Sequence, residues 1–125
     1  MAVVIRAAHY PGRAPITAYG NGGFRFAGMS HRGSLLCLPS GIYGWDAPQP
    51  IDESSLAKVF AEADGIEVLL VGTGVELRPL STAVRDRCRA ASIVAEPMAT
   101  GAAVRTYNVL LAEDRAVAAA LIAVA

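Results

Sequence analysis

Residues 66–74 have the sequence IEVLLVGTG, and this stretch decides the fold class. Residues 66–71 are apolar except for Glu67, which is typical of a strand covered on both faces and central in its sheet. The turn Gly72-Thr73-Gly74 follows directly. Helical patterns lie on both sides of the stretch, and such alternation of strands and helices indicates an α/β protein with a mixed central sheet and helices on its faces.

Three helices are predicted around this strand. Asp52 can cap the first, whose apolar residues recur at helical spacing until Gly65 can end it. Pro79 opens the second helix near its first turn. The third is expected from Thr100, as a capping residue, to Ala112.

The first part of the chain is expected to form short strands. Residues 1–15 contain Pro11, Gly12 and Pro15 and are predicted to be an extended lead-in. A glycine-rich turn at residues 20–23 predicts an N-terminal hairpin. The strands predicted besides the central one are Ile16 to Tyr19, Phe24 to Phe26, Gly33 to Leu38 and Ile93 to Glu96.

The end of the sequence is compatible with two structures. Alanines in residues 116–124 favour a helix, whereas the preceding polar turn and the length of the segment favour a final strand, which is preferred. The complete pattern predicts one domain over residues 1–125, with about five strands in the central sheet, the hairpin and three helices.

Composition excludes several functional classes. Hydrophobic residues make up 54% of the 125 residues and supply a packed core. Eleven basic and eleven acidic residues cancel, so no nucleic-acid partner is expected. Cys37 and Cys88 lie far apart, outside any metal or redox spacing. The apolar runs are too short for a signal peptide or a membrane span, which predicts a cytoplasmic protein.

The turn after the central strand is the first candidate site. Ligands of α/β sheets commonly bind beyond the carboxyl ends of strands, where Gly72, Thr73 and Gly74 lie. The turn lacks the third glycine of a dinucleotide motif and the lysine of a phosphate loop. The alternative interpretation is that the glycines only allow a sharp exit from a buried strand.

The start of the third helix is the second candidate site. Free N–H groups at Thr100 and Gly101 could hold an anion, with Arg105 as the counter-charge and Asn108 extending the polar strip. If this helix adjoins the central strand, these residues and Thr73 would converge on one small pocket. Alternatively, Thr100 caps the helix, Arg105 pairs with an acidic neighbour and Asn108 bonds a loop.

No catalytic set, metal site or cofactor is predicted. His9 and His31 accompany no obvious acid–base partner, and neither a nucleophile elbow nor metal-ligand spacing occurs. The residues from Pro39 to Pro50 are predicted to form a loop. Its Tyr43 and Trp45 could form an exposed patch for a protein partner or could pack over the first helix.

Several short segments carry a family resemblance. They are YGNGGFRF at 19–26, GSLL at 33–36, GTG at 72–74 with RPL at 78–80, and TGAA at 100–103 with RTYNVL at 105–110. With these segments, the chain from Ile16 to Val124 resembles the small-domain family that includes mitochondrial respiratory complex I assembly factor 3 and uncharacterised bacterial relatives. The resemblance implies a three-layer α/β fold, a mixed central sheet and a final strand, and it implies no known catalysis.

The function expected from this resemblance is that of a non-enzymatic interaction or assembly factor. The mitochondrial relative helps to assemble complex I at the inner membrane, so the resemblance implies a bacterial protein with a respiratory-complex or inner-membrane-associated partner. It would be cytoplasmic or peripheral to that membrane, and a homo-oligomer is compatible with the sequence. The alternative is a small-molecule or anion-binding domain, or a cryptic enzyme, that uses Gly72, Thr73, Gly74, Thr100, Gly101, Arg105 and Asn108.

Overall fold

The computed structural model describes residues 10–125. Its strands are β1 (Tyr10–Pro11), β2 (Ile16–Gly20), β3 (Gly23–Phe26), β4 (Met29–Arg32), β5 (Ser34–Leu38), β6 (Gly41–Trp45), β7 (Val68–Gly72), β8 (Val94–Met98) and β9 (Val117–Leu121). Its helices are α1 (Ala57–Ala61), α2 (Thr82–Ala90) and α3 (Thr100–Ala112). Short 3-10 turns, Ser54–Leu56 and Ala63–Gly65, flank α1.

The strands form two sheets. The central sheet has six strands in the order β1-β6-β5-β9-β7-β8. The neighbouring pairs β1–β6, β6–β5 and β5–β9 are antiparallel, whereas β7 is parallel to both β9 and β8. The second sheet is the antiparallel ribbon β2-β3-β4. The predicted mixed α/β fold with an N-terminal hairpin and three helices is confirmed, with six central strands in place of about five.

The two faces of the central sheet carry separate cores. In β7, Leu69 and Val71 point to the face covered by α1 and α2, whereas Leu70 points to the face covered by α3 and the second sheet. The protein therefore has three layers: α1 with α2, the central sheet, and α3 with the second sheet.

The last strand, β9, lies inside the central sheet. Ala119 pairs with Cys37 of β5 on one side and with Leu70 of β7 on the other. All five residues of β9 are buried. Pairing on both sides outweighs the helical preference of alanine, and the prediction of a final strand is confirmed.

The hairpin turn is also confirmed. Asn21 and Gly22 have φ of 52° and 79°, the left-handed conformation that a two-residue hairpin turn requires at both positions. Of the predicted lead-in, residues 1–9, including His9, lie outside the described residues. Pro11 belongs to the edge strand β1, where a missing N–H is tolerated.

Two local predictions are wrong, and one strand was missed. The loop expected over residues 39–50 contains β6, because Gly41–Trp45 pairs with β5 and with β1. The strand Met29–Arg32, which extends the hairpin, was not predicted. Pro79 does not open α2: Ser81 is its capping residue, with Oγ accepting a hydrogen bond from the Val84 amide at 3.2 Å.

Candidate functional site

The turn Gly72-Thr73-Gly74 leaves the carboxyl end of β7 between its two neighbouring strands. The Ile122 amide donates to the Gly72 carbonyl at 2.9 Å, and the Thr73 amide donates to the Met98 carbonyl at 2.8 Å. The backbone of the turn is therefore bound to the chain beyond β9 and to the end of β8.

The two glycines of the turn serve different needs. A Cβ at Gly72 would lie 3.0 Å from both Cα and Oγ1 of Thr100, so Gly72 allows α3 to approach the strand closely. Gly74 has a φ of 113°, which L side chains rarely adopt. Both observations agree with the interpretation that the glycines permit a sharp exit from the strand.

The Thr73 hydroxyl fixes the following loop, residues 74–79. Its Oγ1 accepts a hydrogen bond from the Arg78 amide at 2.9 Å. The same hydroxyl can donate a hydrogen bond to the Glu76 carbonyl, at 2.8 Å, or to the Met98 carbonyl, at 3.1 Å. Because the Thr73 side chain is buried, these bonds hold the loop in one conformation.

Thr100 binds the same turn from the first residue of α3. The prediction that Thr100 caps this helix is wrong, because Ala99 is the capping residue and has no side-chain hydrogen bond there. The fully buried Thr100 hydroxyl instead donates to the Ile122 carbonyl at 2.8 Å and accepts from the Gly74 amide at 3.0 Å. The Thr100 amide donates to the Gly74 carbonyl at 2.8 Å. The amides of Thr100 and Gly74 therefore both have partners within the protein.

The other residues of the predicted anion pocket do not converge with Thr73 and Thr100. A Cβ at Gly101 would collide with the hydroxyl of Tyr19, which packs against that position. The Asn108 side chain pairs with the backbone of Ile16, accepting from its amide at 2.9 Å and donating to its carbonyl at 2.8 Å. Arg105 is exposed on α3.

A cavity of about 310 Å³ does open beside the turn. Its polar lining residues are Gln49, Thr73, Arg78 and Ser81, and its apolar ones are Pro50, Ile51, Pro79, Leu80 and Ile122. A second cavity of about 510 Å³ shares part of this lining and continues along residues 74–76 and 122–125. Sequence reasoning included Thr73 but missed Arg78, although the signal, an arginine four residues after Gly74, was available.

The loop that Thr73 holds exposes two apolar side chains. Val75 is 79% and Leu77 is 59% exposed, which makes them the most exposed of the large apolar residues described. Glu76 and Arg78 alternate with them and form a solvated ion pair at 4.0 Å. Sequence reasoning missed this surface, although apolar residues alternating with charged ones between a strand and a helix could have indicated it.

The aromatic patch considered for Tyr43 and Trp45 is packed against the protein. Trp45 is 7% exposed, and its Nε1 donates to the Ser55 carbonyl at 2.8 Å. Tyr43 is half-buried, with its hydroxyl 2.6 Å from Ser40 Oγ and Lys58 Nζ 4.9 Å from its ring centre. The expectation of an exposed patch is corrected, because β6 places these residues over the α1 region.

Cys37 and Tyr107 are buried titratable side chains that stay neutral inside the core. Burial raises the pKa of the Cys37 thiol to about 12 and also raises the pKa of Tyr107, to which Cys37 is hydrogen-bonded. Across residues 10–125, no three His, Cys, Asp or Glu side chains gather where they could hold a metal ion. None of the helices in that range has the length and apolar character needed to cross a membrane.

The sequence of this α/β domain matches a known protein family. Residues 16–122 match the protein family of unknown function DUF498/DUF598, and the chain belongs to it. An uncharacterised protein of Rhodobacter capsulatus is 40% identical over 113 residues, which cover 90% of this chain and 87% of that protein. NADH dehydrogenase (ubiquinone) 1 alpha subcomplex assembly factor 3 of Mus musculus is 31% identical over 115 residues, which cover 90% of this chain and 62% of the mouse protein.

A solved structure extends the comparison to three dimensions. A Bartonella henselae protein described as an outer membrane protein has a TM-score of 0.89 and 60% sequence identity, covering 94% of this chain and 100% of that one. The predicted membership of the family that includes complex I assembly factor 3 is confirmed. The chain spans only about three fifths of the mouse assembly factor.

Proposed function

We propose that this protein is a non-enzymatic interaction or assembly factor, and that loop 74–79 is its main contact surface. The observation that carries the proposal is the pair of exposed apolar side chains, Val75 and Leu77, on a loop fixed from beneath by Thr73 and Thr100. The similarity to an assembly factor over 90% of the chain supports the same function.

The fixed conformation of the loop favours binding. A partner that covers Val75 and Leu77 removes apolar surface from water, and each side chain contributes roughly 1–2 kcal/mol when it is largely buried. Ordering a flexible loop would cost free energy that opposes this gain. Here the loop is already ordered by hydrogen bonds within the protein.

The proposed partner is a respiratory-complex or inner-membrane-associated protein. The name of the mouse relative supports this class of partner. The proposal places the protein in the cytoplasm, peripheral to the inner membrane when it is bound to its partner.

Photo-crosslinking from the loop tests the proposal. Benzoylphenylalanine replaces Val75 in the full chain, expressed in the source organism, and irradiation is expected to give an adduct with a respiratory-complex or inner-membrane-associated protein. The matched control carries the same group at Arg85, which is exposed on α2. This control is expected to give no adduct with that protein, because Arg85 lies on α2, outside loop 74–79.

A loop variant measures the same interaction without crosslinking. The double replacement Val75→Ser with Leu77→Ser should weaken partner capture about 30-fold or more. Its melting temperature should stay unchanged, since both side chains are exposed. Equal capture by the variant and the original chain, or the same adduct from positions 75 and 85, would show that the loop is not the contact surface.

A second candidate function is the binding of a small anion or other small molecule. The cavity of about 310 Å³ supports it, because the cavity lies at the carboxyl end of the parallel strand β7 and combines Arg78 with apolar walls. Of the residues predicted for such a site, Thr73 lines this cavity, and Gly74 lines the adjoining one.

A thermal-shift screen of phosphates, carboxylates and nucleotides tests this second function. A ligand at a hundredfold excess over its dissociation constant stabilises the folded protein by about 2.7 kcal/mol. The shift should disappear in Arg78→Ala and persist in Arg105→Ala, which removes the same charge from α3. A shift that survives Arg78→Ala would place the ligand elsewhere.

A further inference from the structure

The charges of this protein are unevenly distributed along the chain. The first 45 residues contain four arginines and no aspartate or glutamate, whereas residues 46–125 contain seven basic and eleven acidic residues, a net charge of −4. The whole three-stranded sheet lies within the acid-free part. The first 45 residues are therefore positively charged, although the net charge of the whole chain is zero.

Two arginines share the outer face of this sheet. The register pairs Arg25 with Ser30 and Gly23 with Arg32, and residues two apart on a strand point the same way. Arg25 and Arg32 are therefore diagonal neighbours. Both are exposed, whereas Phe24 and Phe26, on the alternate positions of β3, are buried beneath them.

A cavity of about 460 Å³ opens at this face. The positions that share the face with the two arginines are small and leave room above the strands: Ala18, Gly20, Gly23 and Ser30. Arg32 Nη1 lies about 4.0 Å from where a Cβ on Gly22 would be, at the hairpin turn. The face is thus a concave surface with two guanidinium groups.

The positive charge of this face is not balanced from within the sheet. The salt bridges among residues 10–125 involve Arg78, Arg89 and Arg115 instead. Neighbouring like charges on a sheet repel each other, and a bound anion relieves that repulsion. The planar guanidinium matches a carboxylate group with two parallel hydrogen bonds.

We propose that this face binds a short acidic segment of a protein partner, with Arg25 and Arg32 pairing its carboxylates. This inference depends on the proposed interaction or assembly function in one respect, namely that the protein has a protein partner. A nucleic acid needs a longer positive track, and residues 46–125, with a net charge of −4, would repel it. Binding to a lipid surface usually takes a cluster of about four to eight basic residues on one side, more than the two that share this face.

The hairpin turn at one end of this sheet lies near loop 74–79. The Gly22 amide of the hairpin turn donates to the Val124 carbonyl at 2.8 Å, and Val124 lines one cavity together with Val75. Tyr19 of the same sheet packs on Gly101, next to the Thr100 that holds Gly74. A partner that extends past the hairpin turn can therefore cover the apolar loop and place an acidic segment on the arginines.

Titration of the isotope-labelled full chain with hexaglutamate, followed by amide NMR at low ionic strength, tests the proposal. Saturable shifts are expected in β2, β3 and β4. The double replacement Arg25→Ala with Arg32→Ala should raise the dissociation constant about tenfold or more, since it removes both charge-assisted contacts. The control, Arg85→Ala with Arg89→Ala, removes the same charge from exposed positions of α2 and should leave the titration unchanged.

The comparison probes are hexaglutamine, inorganic phosphate and vesicles containing phosphatidylglycerol. The proposal is overturned if hexaglutamate gives no saturable shifts, if both arginine pairs weaken binding equally, or if only phosphate or vesicles shift the sheet. Replacing Val75 and Leu77 by serine should leave the hexaglutamate titration intact. Loss of partner capture in that loop variant therefore tests the proposed function separately.

Discussion

Replacing Thr100 with valine removes one hydroxyl and keeps the volume of the side chain. The Gly74 amide and the Ile122 carbonyl then lose their hydrogen-bond partner at a fully buried residue. An unpaired buried polar group costs about 1–3 kcal/mol, and the Gly74 amide is only partly buried, so the free energy of unfolding should fall by about 2–4 kcal/mol. Urea unfolding followed by the fluorescence of the single, buried Trp45 measures this change.

Two further variants separate the hydrogen bonds from other effects. Thr106→Val makes the same chemical change at a half-exposed position of α3 and should alter stability by no more than about 0.5 kcal/mol. Thr100→Ser keeps the hydroxyl and loses one buried methyl group, which should cost about 1 kcal/mol. A loss for Thr100→Val as small as that for Thr106→Val would refute the conclusion that Thr100 binds the turn and the chain beyond β9 together.

Three other predictions concern backbone, packing and pH. Gly74→Ala should lower the free energy of unfolding by about 1 kcal/mol or more, because Gly74 has a φ of 113°; an unchanged urea midpoint would contradict this. Gly101→Ala should destabilise the protein through its collision with Tyr19, whereas in a Tyr19→Ala background it should be neutral or stabilise α3 by up to about 1 kcal/mol; additive effects in the double-mutant cycle would exclude this contact. Because the pKa of Cys37 rises from 9.0 to about 12 on folding, its stabilising contribution is complete below pH 9 and is lost as the pH rises towards 12. Over this range the free energy of unfolding should fall more steeply than in Cys37→Ala, by up to about 1.4 kcal/mol per pH unit, and parallel curves would contradict the prediction.

The fold could be predicted where local pattern and burial agree. The apolar run that forms β7 is hydrophobic on both faces, as expected of a strand that is covered on both sides. Strand β6 could not be predicted, because Gly41 and Gly44 are typical of turns and only pairing with β5 and β1 makes the segment a strand. The propensity of residues 116–124 was ambiguous for the same reason, since pairing with β5 and β7 decides their structure.

Only the part of the candidate site formed by the turn and Thr100 could be located from the sequence, and its role could not be predicted. The sequence predicted that Thr73 and Thr100 lie together only if α3 adjoins β7, and the structure brings both residues to the same end of the sheet. Their partners, however, are backbone groups that the fold brings close, such as the Ile122 carbonyl for Thr100. Asn108 similarly bonds Ile16, which is 92 residues away in sequence. A sequence pattern shows that a polar side chain is present, whereas the fold determines whether it is free for a ligand.

The turn Gly72-Thr73-Gly74 influences the proposed function through the loop that it holds. Fixing the backbone of one residue costs about 1–2 kcal/mol, so ordering even a few residues of loop 74–79 upon binding would cancel the gain from burying Val75 and Leu77. In this protein, the hydroxyls of Thr73 and Thr100 order the loop when the chain folds. In the proposed function, the hydroxyls of Thr73 and Thr100 therefore act on binding indirectly, by keeping two apolar side chains in one exposed position.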